Sequence, residues 1–182
     1  FVKTGRIQYA VLAYILSGFI VFGQDFVILW AGETYKDSYI ISLIFIIPLT
    51  VPLIQNLGIT ILQARNNLRF RSLLYIVIAL FSLIIQIQLA KIYGGIGAAI
   101  AICVSLVAGQ IIIMNIYYYY YQALNIVKFW AEIWKMSILP IIIGVGAYIV
   151  FNFFQINSYP VLLLCVLVYS MIYIPLFWKF SL

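Results

Sequence analysis

Histidine is absent from this chain of 182 residues. With it go the commonest general base, the Ser-His and Cys-His nucleophile pairs and the commonest metal ligand. Charge is almost as scarce. Only 8% of residues are Asp, Glu, Lys or Arg, too few to coat a water-soluble globule of this size. Only four side chains are acidic, and the closest two, Glu33 and Asp37, flank Lys36 and read as a solvated turn. Cysteine occurs only as Cys103 and Cys165, deep in separate apolar runs. Such thiols are ordinary packing residues, so neither a disulfide framework nor a metal site is implied. No Gly-rich phosphate loop and no Ser or Cys beside a plausible base is present, and the expectation is a chain that is not an enzyme and holds no cofactor and no metal.

What the chain has instead is hydrocarbon: 67% hydrophobic residues and a mean hydropathy of +1.19. About 20 consecutive apolar residues cross a bilayer as a helix. Runs at 8–30, 39–62, 72–90, 96–119, 136–154 and 159–178 qualify. Barrel strands would alternate apolar and polar residues over about 10 positions, and these runs do not alternate. The expected fold is therefore all-α and polytopic, with six transmembrane helices. Residues 1–127 should hold the first four, 128–135 a short interfacial segment and 136–182 the last two. The chain opens Phe-Val-Lys, and its first apolar run exceeds a signal-peptide core and lacks a cleavage site, so it reads as part of a longer polypeptide.

The net charge of +6 would suggest nucleic acid in a soluble protein; here it reports topology, and no nucleic-acid partner is expected. Lys3, Arg6, Arg65, Arg69, Arg71, Lys128, Lys135 and Lys179 fall on one side of the six-span arrangement, Lys36 and Lys91 on the other. The positive-inside bias then puts both ends in the cytoplasm. The "YYYYY" run, Tyr117 to Tyr121, fits an interfacial aromatic belt, with sugar stacking as the alternative. In "KFWAEIWK", 128–135, Phe129, Ile133 and Trp134 are spaced for one apolar face of a short amphipathic surface helix.

Polar residues inside the spans are the functional candidates. Pro48, Pro52, Gln55, Asn56, Thr60 and Gln63 share one stripe of the second helix. Each proline removes a donor and frees a carbonyl that hydrocarbon cannot satisfy, so the stripe should face protein or a wet cavity. Two readings stay open: Gln55 and Asn56 as inter-helix glue, or a kinked helix lining a cavity or gate. Gln110 and Asn115 on the fourth helix are further candidates of this kind, with Gln86 and Gln88 on the third, while Pro140, Gly144 and Gly146 loosen the fifth. Gly97, Ala101, Ser105 and Gly109, extended by Gly94 and Gly95, form a ridge of small residues suited to close helix packing. Asp25 is the one carboxylate within a span and is a candidate coupling group for protons or cations, or else a residue of the outer interface. Arg65, Arg69 and Arg71, in "ARNNLRFR", are topology signals, contacts to anionic membrane lipids or contacts to a phosphorylated headgroup.

Three motifs carry a resemblance: Phe-Gly-x-x-Phe-Val-x-Leu-Trp-x-Gly-x-x-Tyr from Phe22 to Tyr35, Gln55-Asn56-x-Gly58, and Tyr93-Gly94-Gly95-Ile96-Gly97-Ala98-Ala99. With them, most of residues 19–135 resembles the carboxyl-terminal half of bacterial oligosaccharide flippases. These form the polysaccharide transporter (Wzx-like) family of the multidrug/oligosaccharidyl-lipid/polysaccharide exporter superfamily. The resemblance implies the carboxyl-terminal part of a two-bundle, MATE-like transporter in the bacterial plasma membrane. Its substrate would be an undecaprenyl-pyrophosphate-linked oligosaccharide, moved to the outer leaflet for surface polysaccharide biosynthesis. Its partners would be an amino-terminal bundle of the same polypeptide and other polysaccharide assembly proteins. The alternatives are a drug/cation antiporter of the same superfamily and a non-transporting membrane assembly subunit. A membrane-embedded glycan polymerase or transferase would favour a large, charged outer loop, and the outer loops expected here are short.

Overall fold

Apolar runs of this length satisfy their own backbone polar groups in hydrocarbon only by coiling into helices or closing into a barrel. In a computed structural model that describes residues 1–151, 156 and 158–181, every regular element is helical and no strand occurs among the described residues. Helix α1 spans Val2–Ala31, α2 Asp37–Ile54, α3 Asn56–Ala64 and α4 Arg69–Leu106. A π-helical segment, Val107–Ile113, leads into α5, Met114–Tyr120, followed by α6, Ile126–Phe151, and α7, Tyr159–Ser181. The fold class is thus all-α, with five to six helices long and apolar enough to cross a membrane.

The difference between five and six lies in one run, Arg69–Tyr120, 52 residues of continuous helix. At 1.5 Å per residue a straight helix of that length would reach about 78 Å, more than twice the roughly 30 Å of a hydrocarbon core. It is not straight. Gly94 has φ 59° and ψ −139°, far from helical values. A Cβ placed on Gly97 would lie 2.2 Å from the Leu89 carbonyl oxygen, and one on Gly109 would lie 1.8 Å from Ile78 Cδ1. On a straight helix those pairs would stand about 12 Å and about 46 Å apart. The run is therefore an antiparallel helical hairpin that turns at Gly94, and its two arms correspond to the expected spans at 72–90 and 96–119.

The small-residue ridge forms the seam of that hairpin. Gly97, Ala101, Ser105 and Gly109 are buried, with Gly97 against Leu89 and Gly109 against Ile78. Gly94 has a different part: nothing lies within 4 Å of where its Cβ would be, and its positive φ makes the turn.

Two boundaries differ from the sequence expectation. The second span, 39–62, is broken at Gln55 into α2 and α3. The segment 128–135 is no separate surface helix but the first part of α6, because the apolar pattern continues without a break. Phe129 and Ile133 are buried there, as is Met136, whereas Trp134 faces outward at 71% exposure. The end of the fifth expected span, 152–154, lies outside the described residues.

The chain divides into two compact units. One comprises Phe1–Gln8 and Ile41–Trp130, the other Tyr9–Ile40 and Ala131–Leu182. The partition departs from a division near residue 127 because most of α1 packs on α6 and α7 rather than on its sequence neighbours. Val21, Phe22, Met136, Leu162, Cys165, Tyr169, Tyr173 and Phe177 form that second unit's core. The first unit's core is Leu62, Met114, Tyr117, Tyr118 and Ile126. Two rings of the five-tyrosine run thus point inward, while Tyr119, Tyr120 and Tyr121 are exposed.

Charge divides as sharply as packing. Asp25, Glu33, Asp37 and Glu132 all belong to the second unit. The first unit has Lys3, Arg6, Arg65, Arg69, Arg71, Lys91 and Lys128 and not one acidic side chain.

Candidate functional site

The break between α2 and α3 follows from the prolines. Pro48 and Pro52 lie inside α2 and cannot donate to the carbonyls of Ile44 and Pro48, four residues back. The helix runs to Ile54, Gln55 leaves it at φ −100° and ψ 13°, and α3 starts at Asn56. Gly58 N donates to Gln55 O at 2.8 Å, a tighter i to i−3 bond that restarts the coil. Gly58 also has to be small: a Cβ there would meet Tyr118 Cζ at 3.0 Å.

At this break Gln55 is turned inward, only 3% exposed. Its Nε2 donates to Asn115 Oδ1 at 2.7 Å. Trp130 Nε1 donates to the same oxygen at 3.2 Å, and Asn115 Nδ2 donates to the Ile111 carbonyl. Asn115 is therefore the hub of a node that ties together the α2–α3 break, the end of the π-helical segment and the start of α6. Both lone-pair directions of its side-chain oxygen have a donor. Asn56, next in sequence, is exposed. Consecutive helical residues point about 100° apart, so the Gln-Asn pair is split between a structural contact and an outward-facing amide.

The other candidates separate in the same way. Pro48 is buried and Pro52 half-buried on the α2 face that leads into the node. Gln110 sits in the π-helical segment, 5% exposed, with its Nε2 buried and unpartnered. Wide turns of this type recur at functional sites. Arg65 Nη1 donates to the Gln122 carbonyl and Oε1 at 3.1 and 2.9 Å. Arg71 donates to the Tyr118 and Tyr75 hydroxyls at 3.3 and 2.6 Å, and Arg69 is exposed.

Asp25 belongs to the second unit. It is half-buried on α1 and lines a cavity of about 120 Å³ with Ile20, Val21, Gln24, Tyr39, Tyr148 and Phe151, none of them basic. Tyr39 donates its hydroxyl to the Ile20 carbonyl at 2.7 Å, fixing one wall. A second cavity, about 200 Å³, begins at the same Ile20 and extends past Ser17 and Tyr9 to Pro140 and Gly144.

Sequence reasoning missed the hydroxyl network beside these cavities. Tyr9 pairs with Ser137 and Tyr14 with Ser170. Tyr169 donates to Ser17 Oγ at 2.7 Å, and Ser17 donates to the Tyr14 carbonyl at 3.1 Å. The available signal was the occurrence of Tyr and Ser deep in apolar runs, where hydroxyls bond between helices.

The fold and these polar clusters define a class: an all-α chain with several helices long and apolar enough to cross a membrane, carrying buried amides and hydroxyls and a half-buried carboxylate on α1. Comparison with protein-family models, with curated proteins and with solved structures finds no match to this chain.

Proposed function

We propose that this chain is the carboxyl-terminal part of a transporter that flips lipid-linked oligosaccharide across the bacterial plasma membrane, with both of its ends on the cytoplasmic side. The observation that carries the reading is the broken α2–α3 helix, in which Gln55 is anchored and Asn56 faces outward. Interrupted helices in apolar surroundings mark substrate and gating regions, because irregular backbone is tolerated there only against protein or a water-filled cavity. The motifs from Phe22 to Tyr35, from Gln55 to Gly58 and from Tyr93 to Ala99, which resemble those of the flippases, supply the substrate class. Asn56 would hydrogen-bond sugar hydroxyls, and Gln55, Asn115 and Trp130 would hold the break in register.

The test is export in cells that lack the parent protein. Restoring the complete protein should restore surface polysaccharide, and Asn56→Leu should reduce it at an unchanged membrane level. Full export by a well-expressed Asn56→Leu variant contradicts the role of that amide. Failure of the complete, folded protein to restore any polysaccharide contradicts the flippase reading.

A drug/cation antiporter is the second reading, favoured by the Asp25 cavity, since an intramembrane carboxylate facing a polar pocket suits cation or proton coupling. It would show as transport of a small organic cation that depends on Asp25, without polysaccharide export. Loss of assembly with no transport of either substrate would mark a non-transporting assembly subunit.

A further inference from the structure

Arg65, just past α3, and Arg71, in the first turn of α4, are held by neutral groups only. Arg65 is braced by the Gln122 carbonyl and side-chain oxygen. Arg71 is braced by the hydroxyls of Tyr118 and Tyr75, with its guanidinium carbon 5.0 Å from the centre of the Tyr75 ring. Tyr118 lies in the last turn of α5 and Gln122 two residues past its end, so both braces come from one short stretch of chain. Arg69 lies between Arg65 and Arg71 in sequence and is exposed.

None of these partners neutralises charge. Arginine stays protonated in proteins, and this unit has no carboxylate side chain to meet it. The charges also sit at an adverse place: Arg69 and Arg71 fall in the first turn of α4, which has no acidic residue, and the amino end of a helix disfavours cations. Each guanidinium keeps N–H groups beyond those used by its braces. Fixed, uncompensated forks of this kind match phosphate oxygens.

The setting selects the carrier of the phosphate. The three arginines sit at the junction of two apolar helices, α3 and α4, and the exposed rings of Phe70, Tyr119, Tyr120 and Tyr121 belong to the same unit. Arginine beside exposed aromatic rings at the end of an apolar helix is the pattern of the headgroup layer.

We propose that Arg65 and Arg71, with Arg69 beside them, form a binding site for the phosphate group of an anionic membrane lipid. The site is independent of the transport reading: it holds or fails whatever the protein moves.

The test uses the full-length protein, purified in a neutral detergent and titrated with phosphatidylglycerol, with lipid-bound species counted by native mass spectrometry. Arg65→Gln/Arg71→Gln is expected to weaken binding about tenfold, the scale of losing charge-assisted phosphate contacts. Lys91→Gln, which removes one charge elsewhere in the same unit, is expected to stay within about twofold. If the double glutamine variant does not fold, Arg69→Gln and Arg65→Lys/Arg71→Lys serve instead. The former removes an exposed charge, the latter keeps the charge and loses the fork, and each should weaken binding several-fold. Equal binding by these variants and the parent overturns the proposal, as does an equal loss in Lys91→Gln, which would mean diffuse attraction. Competition by inorganic phosphate at the same concentration as the lipid also overturns it, since the ligand would then be a soluble anion.

Discussion

Asn115 accepts from both Gln55 and Trp130, so substitutions at the node should not be additive. Gln55→Leu removes one bond and leaves the Asn115 oxygen its indole donor, a cost of about 1 kcal/mol. Asn115→Leu removes three bonds at once and strands two donors, one of them the nearly buried Gln55 amide. At about 1 kcal/mol or more for each stranded donor, its cost is about 2–4 kcal/mol. In the double variant Gln55 no longer needs its acceptor, and the loss should fall short of the sum by about 0.6–1.7 kcal/mol, the range for hydrogen bonds between membrane helices. The assay is reversible unfolding of the full-length protein in mixed micelles, titrated with a denaturing detergent. Losses that add to within about 0.3–0.5 kcal/mol would refute the node as a coupled unit.

The glycines give a second expectation. Gly97→Ala would drive a methyl to 2.2 Å from a backbone oxygen, and the variant should fail to accumulate or lose more than about 3 kcal/mol of stability, whereas Gly146→Ala, with open space around it, should be neutral or slightly stabilising. Gly94→Ala should cost about 1–3 kcal/mol from its positive φ alone, read in the same unfolding assay. Asp25→Asn should abolish any dependence of transport on a proton or sodium gradient while leaving the unfolding midpoint unchanged; gradient-dependent transport in that variant would remove Asp25 from coupling.

Helix number was legible in the sequence because it rests on run length, which the bilayer dictates. The prolines likewise announced trouble in the second span. What they could not announce was its location at Gln55, since that depends on where Gly58 meets the Tyr118 ring. The Gln55-Asn56 pair looked like one feature, yet the restart of the coil sends the two amides in different directions. Trp130 and Gln122 went unnoticed for a related reason: their partners, Asn115 and Arg65, come from other helices, and a single sequence does not state which helices meet. Most of α1 pairs with α6 and α7 for the same reason, and that arrangement escaped a reading that followed chain order. The arginines were visible as a cluster, but the neutral character of their braces was not.

The most direct test of the transport account is translocation of a lipid-linked oligosaccharide in vesicles containing the full-length protein, scored by access of an external lectin or glycosidase to the sugar. Translocation that requires the protein and falls in the Asn56→Leu variant is the expected result. Sugar that stays inaccessible across several native glycans, with the protein shown to be folded, would contradict it.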